Sequence, residues 1–271
     1  NVKVTIKNNT DNVYWQGSSW LAGEIWLNTT GSTSWLYGGT IPTWTDGKTY
    51  LIISKSQDYA NNTETPGAGN SFTIDQIAGS SSIVNPSNNA KLNTLATISG
   101  TATDNRGVGS VSVAIKNLTL NTYYTGSGWG DTIVWLSATG TTNWTYTSPS
   151  WASGINYLIQ SKSIDTASNA ETPSAGNTFL FDNTVPSSSV SSPANSANIN
   201  TQPANFDGSA SDNAAGVQLV KIRTYNATDS TYLQGGGVWD VVDTWINSSG
   251  TTSWTFTAPT LSNLKTYIVQ S

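Results

Sequence analysis

Ser127-Gly-Trp-Gly-Asp-Thr-Ile-Val-Trp-Leu-Ser-Ala-Thr-Gly-Thr-Thr-Asn-Trp144 is the stretch that decides how the chain is read. Its frame, Trp129 … Trp135-Leu136 … Gly140 … Trp144, also stands upstream as Trp20 … Trp26-Leu27 … Gly31 … Trp35. It stands again downstream as Trp239 … Trp245-Ile246 … Gly250 … Trp254. After the first copy of the frame, Ser54-Lys-Ser-Gln-Asp58 … Glu64-Thr-Pro66 … Asp75 returns as Ser161-Lys-Ser-Ile-Asp165 … Glu171-Thr-Pro173 … Asp182. Gly100-Thr-Ala-Thr-Asp104-Asn105 returns as Gly208-Ser-Ala-Ser-Asp212-Asn213. All these blocks recur at nearly one spacing. A period of about 108 residues is a domain-sized repeat, far longer than one turn of a solenoid. The boundaries that follow are a partial copy at 1–75 that lacks its first strands, a complete copy at 76–182, and a partial copy at 183–271 that lacks its last. Both ends cut through a repeat, so the natural polypeptide is expected to continue in both directions.

Within a copy the pattern is that of short strands. Val2, Val4 and Ile6 alternate with Lys3, Thr5 and Lys7, and Val111, Val113 and Ile115 alternate with Ser112, Ala114 and Lys116. A period of two puts one face in a core and the other in solvent. Further strands are expected at 95–103, 122–125, 132–137, 142–147, 156–163 and 177–181. About seven short strands separated by turn residues is the count of an immunoglobulin-like sandwich. Trp44, Trp151 and Leu261 each precede a tyrosine (Tyr50, Tyr157, Tyr267) by the same short interval. That spacing is the mark of a tyrosine corner, and a site that takes Trp or Leu alike fills apolar space. The fold class expected is therefore all-β, a tandem of immunoglobulin-like (fibronectin-III-like) β-sandwiches in an elongated array.

Composition narrows the chemistry. The 271 residues contain no His, Cys or Met, carry a net charge of −5, and are only 10% charged. Without His or Cys there is no Ser-His-Asp triad, no thiolate nucleophile and no histidine or thiolate metal ligand. The net negative charge and the absence of a Lys/Arg cluster argue against nucleic acid and anionic membranes as partners. No apolar run approaches the roughly 20 residues of a membrane helix. No carboxylate pair stands apart from the repeat, so a glycosidase is not indicated, and the chain is read as no enzyme.

Taken together, Asp-Asn-Thr-Val-Pro186, then Gly-(Thr/Ser)-Ala-(Thr/Ser)-Asp-Asn, the Trp frame, and Ser-x-Asp-x-Ala-x-Asn-x-Glu-Thr-Pro resemble bacterial Ig-like repeats over essentially all 271 residues. The chain departs from that pattern at Asp58-Tyr-Ala-Asn-Asn62 and Asp165-Thr-Ala-Ser-Asn169, where those repeats often carry Asp-x-Ala-Gly-Asn. Such repeats occur in tandem in long exported and cell-surface proteins. The resemblance thus implies a structural extracellular role as stalk, fibre or surface-layer element. The alternative is a glycan-binding adhesin module working through its Trp-rich hairpins. The expected partners are other copies of the chain or neighbouring repeats, with surface glycans under the second reading.

Three residue sets are candidates for a site. Trp20, Trp26, Trp35, Trp129, Trp135, Trp144, Trp239, Trp245 and Trp254 fit a packed hairpin, a sugar-stacking platform or a lateral contact between chains. Asp75, Asp104, Asp165 and Glu171 lie in loops that an immunoglobulin-like sandwich gathers where one repeat meets the next. There they fit a junction Ca²⁺ site, the only cofactor expected, or simple caps of turns. Asn8, Asn117 and Asn226 begin Asn-x-Ser/Thr sequons at one shared repeat position and are the candidate glycosylation sites.

Overall fold

The computed structural model describes residues 1–271, and every regular element in it is a strand. All strand pairings fall inside three spans, residues 2–73, 80–181 and 187–270. The middle span shows the full architecture. One sheet is built from Ser80–Asn85, Thr97–Thr103 and Asn143–Thr147, with Thr97–Thr103 in the centre. The facing sheet runs Ala90–Leu92, Asn177–Phe181, Ile155–Asp165, Val108–Asn117, Thr122–Tyr124 and Trp129–Gly130. Ala90–Leu92 is parallel to its neighbour and all the other pairs are antiparallel. The first edge of the chain thus joins one sheet and then the other. This is an immunoglobulin-like, fibronectin-III-like sandwich.

The period-two alternation decides which side chains meet between the sheets. Val111, Val113 and Ile115 face Ile98 and Ala102 across the interior, with Tyr157, Ile159 and Phe179 beside them. Trp144 fills the middle and is fully buried. Its ring lies flat on a gap left by Gly100: a Cβ there would stand 2.3 Å from the indole and 2.0 Å from the carbonyl oxygen of Ser82. The last span repeats the device, with Gly208 against Trp254 and the corresponding approaches at 2.2 and 2.1 Å. The recurring Gly-(Thr/Ser)-Ala-(Thr/Ser) is therefore the imprint of a Trp that needs a residue without a side chain opposite it. Residues 1–75 hold no strands matching Ser80–Asn85 and Thr97–Thr103. There Trp35 is 40% exposed, whereas its counterparts Trp144 and Trp254 are at 0% and 2%.

The tyrosine corner is present three times. Tyr50, Tyr157 and Tyr267 accept hydrogen bonds through their hydroxyl oxygens from the backbone N–H of Thr45, Ala152 and Ser262, at 3.0, 3.0 and 2.9 Å. Trp44 and Trp151 each stand edge-on to their tyrosine at 4.7 Å. They also stand edge-on to a phenylalanine, Phe72 or Phe179, at 5.1 Å.

The outer face of the three-stranded sheet is a lawn of hydroxyls. Ser80 pairs with Thr103 and Ser82 with Thr101 across the strands, and in the last span Ser187 pairs with Ser211 and Ser189 with Ser209. The strand Ser80–Asn85 has no counterpart among the strands expected from sequence. It is Ser-rich, and its inward positions are Ser81 and Ile83, so no apolar alternation announces it. The expected strand at 132–137 is also mostly absent. Only Leu136–Ser137 pairs, and Asp131–Trp135 is the irregular connection that leads into it from Trp129–Gly130.

Candidate functional site

Where the first span meets the middle one, three aspartates converge. Asp75 follows the strand Asn70–Thr73, Asp104 directly follows Thr97–Thr103, and Asp165 ends Ile155–Asp165. Each offers a carboxylate oxygen, and the three oxygens lie within 4.8 Å of one another. The linker is pressed onto this spot: a Cβ on Gly79 would stand 2.9 Å from the carbonyl oxygen of Thr103 and 3.2 Å from Asp104. The backbone N–H of Gln76 donates to Asp46 at 2.7 Å, and Asn169 Nδ2 donates to the carbonyl oxygen of Asp75 at 3.0 Å. Arg106 reaches the carbonyl oxygen of Gly47.

Turn capping and the convergence of carboxylates coexist here. Asp104 Oδ1 accepts from the N–H of Arg106 and Gly107 at 2.7 and 2.8 Å. Asp165 Oδ1 accepts from Ala167 and Asn169 at 2.9 and 2.8 Å, and its Oδ2 accepts from Asn169 Nδ2 at 2.7 Å. Burial pushes the Asp165 carboxyl up, but the side chain and backbone of Asn169 and the N–H groups of Ala167 and Ser168 outweigh it. The net effect holds its pKa below the usual aspartate value. Asp75 Oδ2 and Asp104 Oδ2 have no such partners. Each exposes less than 1 Å² and accepts no hydrogen bond. The three ion pairs of the molecule, Lys48–Asp11, Arg223–Asp243 and Lys265–Asp229, are elsewhere. Like charges this close repel, and a buried oxygen without a donor is costly.

Glu171 is not part of the group. Its Oε2 accepts from the N–H and hydroxyl of Ser163 at 2.7 and 2.9 Å, and its Oε1 from the N–H of Ser81 at 2.8 Å. The carboxylate laces the edge strand Ser80–Asn85 to Ile155–Asp165. Glu64 grips the N–H and hydroxyl of Ser56 in the same way at 2.9 and 2.8 Å. The Ser … Asp … Glu-Thr-Pro pattern is therefore a loop clasp, with Asp capping the turn and Glu bonding back to the strand.

The second joint has a different arrangement. Asp182 is buried, and its oxygens are taken by Ser153 Oγ, the N–H of Thr184 and the N–H of Ala215, at 2.9, 3.1 and 2.7 Å. The Ala215 N–H is the strongest of the bonds that hold its pKa down. Asp212 Oδ1 caps its own loop through Ala214 and Gly216. That loop is one residue longer than Asp104–Gly107, and the extra N–H, from Ala215, lands on Asp182.

Eight of the nine tryptophans separate into three roles, and Trp35, the counterpart of Trp144 and Trp254, is 40% exposed instead. Trp144 and Trp254 are core. Trp20, Trp129 and Trp239 lie against the corner tyrosines Tyr50, Tyr157 and Tyr267, with ring centroids 5.6, 5.7 and 5.4 Å apart. Trp26, Trp135 and Trp245 sit on the outer face beneath a cation: Lys55 at 4.0 Å, Lys162 at 4.6 Å and Arg223 at 5.3 Å. Asn8, Asn117 and Asn226 are 4–5% exposed and held in turns. Asn8 and Asn226 donate their amides to Asp11 and Asp229, both at 2.9 Å, and Asn117 Oδ1 accepts from Thr119 and Leu120. In the folded chain these asparagines are turn caps, with their side chains turned away from solvent.

A concavity of about 430 Å³ is an open groove in the last span between Ser188–Val190 and Tyr267–Ser271. Ser, Asn, Pro and aliphatic side chains line most of it, and no carboxylate or ammonium does.

No protein-family model matches the chain, and no curated protein matches it. Among solved structures, the FN1–FN3 domains of chicken CNTN1 are similar in chain course. The match covers 99% of this chain and 81% of that one, at 10% identity and a TM-score of 0.31.

Proposed function

We propose that the chain is a stretch of an extracellular spacer, a stalk, fibre or surface-layer element whose use lies in reach. One observation carries this reading: the cores are separate, and the chain exposes far more surface than a compact body would. The middle cluster draws only on residues 83–181 and the last only on 190–269. The accessible surface is 15361 Å². A compact monomer of 28.7 kDa would expose about 11,300 Å². The excess, about a third, is what separate units meeting at small joints produce, with a further share from the open face of residues 1–75. No helix is long and apolar enough to cross a membrane. Lys55 and Lys162 stand over the ring faces of Trp26 and Trp135 on which a sugar would stack, which favours the spacer over a glycan-binding module.

Small-angle scattering of the full chain tests the reading. Sandwiches in line give a radius of gyration of roughly 30 Å, from strands of up to about 35 Å per unit. A compact globule of this length gives about 18 Å. A value near the lower figure overturns the proposal.

A further inference from the structure

We infer that Asp75, Asp104 and Asp165 form a divalent-cation site, selective for Ca²⁺, that fastens the first joint of the chain and has no equivalent in the ligand set of the second joint. Two observations that do not depend on each other point to it. The first is convergence: three carboxylate oxygens, from the linker and from two loops of the middle span, lie within 4.8 Å of one another. The second is vacancy of hydrogen bonding: Asp75 Oδ2 and Asp104 Oδ2 are sealed from solvent and accept nothing. A sealed carboxylate oxygen without a donor carries its full desolvation cost unless a bound ion, a water or a proton answers it. Beside two other carboxylates a cation answers all three at once.

The donor set is all oxygen, which selects a hard ion. Oxygens within 4.8 Å of one another can share one calcium ion, whose ligands stand about 2.3–2.6 Å from it, whereas magnesium demands a near-ideal octahedron. Calcium also tolerates the irregular sphere that three carboxylates and water provide. The caps on Asp104 Oδ1 and Asp165 Oδ1 hold those two side chains in place, while Asp75 arrives on the linker. Binding therefore ties the end of the first span to the loops of the middle one. At the second joint Ser153, Thr184 and Ala215 already satisfy Asp182. That joint is fastened by hydrogen bonds alone.

The test uses the full 271-residue chain, stripped with a chelator and titrated calorimetrically with CaCl₂ and, separately, MgCl₂. The expected result is one Ca²⁺ per chain in the sub-millimolar to millimolar range of weak extracellular sites, with Mg²⁺ at least about tenfold weaker. Asp75→Asn and Asp104→Asn should each weaken Ca²⁺ about tenfold or more, and Asp182→Asn should leave it unchanged. Saturating Ca²⁺ should raise a melting transition by about 5 °C in the wild type and not in Asp75→Asn. Near-UV circular dichroism in chelator shows whether the variants fold; if one does not, the wild-type titration decides. Absence of Ca²⁺ binding up to about 10 mM, ten times the weak end of such sites, overturns the inference. So does Asp75→Asn binding like wild type, and so does a chelator-insensitive chain that Asp75→Asn stabilises, which would mean a shared proton. None of these outcomes bears on the scattering result, so the spacer reading stands or falls separately.

Discussion

Replacing Gly100 by Ala adds one methyl group where the structure has no room for it. The new carbon would stand 2.0 Å from the Ser82 carbonyl oxygen and 2.3 Å from the Trp144 ring. Neither can yield cheaply: Ser82 is fixed by strand pairing with Thr101, and Trp144 is fully buried with its Nε1–H bonded to the Thr101 carbonyl oxygen at 3.1 Å. The φ of Gly100 is not positive, so sterics act alone. Overpacking a tight core costs about 1–3 kcal/mol, and with two rigid obstacles the upper value applies, about 3 kcal/mol. For a unit of about 100 residues that lowers the melting temperature by about 12 °C or more. Differential scanning calorimetry of the full chain should show one transition moving and the others unmoved, because the last core shares no residue with the middle one. Gly208→Ala should move a different transition. Adding Trp144→Leu to Gly100→Ala should cost less than the two single changes summed, since the smaller side chain vacates the space. A loss below about 0.5 kcal/mol, the level of an ordinary surface change, or strict additivity in the double variant, would refute the account of the Gly–Trp pair.

Trp144→Ala should cost about 3–5 kcal/mol in chemical denaturation, while Trp35→Ala, with its ring 40% exposed, should cost about 1 kcal/mol or less. Tyr157→Phe removes the bond from Ala152 and should cost about 1 kcal/mol at neutral pH. Burial raises the Tyr157 pKa above 10.0. The neutral hydroxyl therefore stabilises the fold fully below pH 10, and that contribution is lost as pH climbs through the raised value. Denaturation against pH should accordingly fall less steeply above pH 10 in Tyr157→Phe than in wild type. Hydrogen bonds from Ser56 hold Glu64, and hydrogen bonds from Asn62 hold Asp58, below their ordinary values of 4.5 and 3.8. Their stabilisation is present above those values and lost as pH falls through the lowered ones. Hydrogen exchange should show residues 56–64 opening below about pH 4 before the strands do.

The chain's legibility followed the range over which each feature is determined. The period, the inward rows of Val111, Val113 and Ile115, and the corner formed by Trp151 and Tyr157 could be read directly, because each is fixed by residues near in sequence. The tryptophans could not be sorted that way. Trp144 differs from Trp135 because Gly100, on a strand far off in sequence, leaves it a berth, while Trp135 meets Lys162 across the sheet's outer face. Both look alike in the one-dimensional pattern. Asp75, Asp104 and Asp165 could be grouped from loop geometry, but Glu171 could not be separated from them. Its partners, Ser81 and Ser163, are brought together only by the strand order. Asn8, Asn117 and Asn226 satisfy a three-residue rule that says nothing of burial, and the turns they cap put their amides inside.

The serine and threonine rows that pair Ser80–Asn85 with Thr97–Thr103 and Ser187–Ser192 with Asn205–Ser211 have a consequence for the medium the chain can work in. Dissolved ions act on a protein mainly by screening its fixed charges, and along those rows there is almost nothing to screen. The rows present neutral hydroxyls, and a neutral pairing across strands does not depend on ionic strength. Such a surface should behave nearly alike in fresh and saline surroundings, and the length it spans should change little when the salinity does.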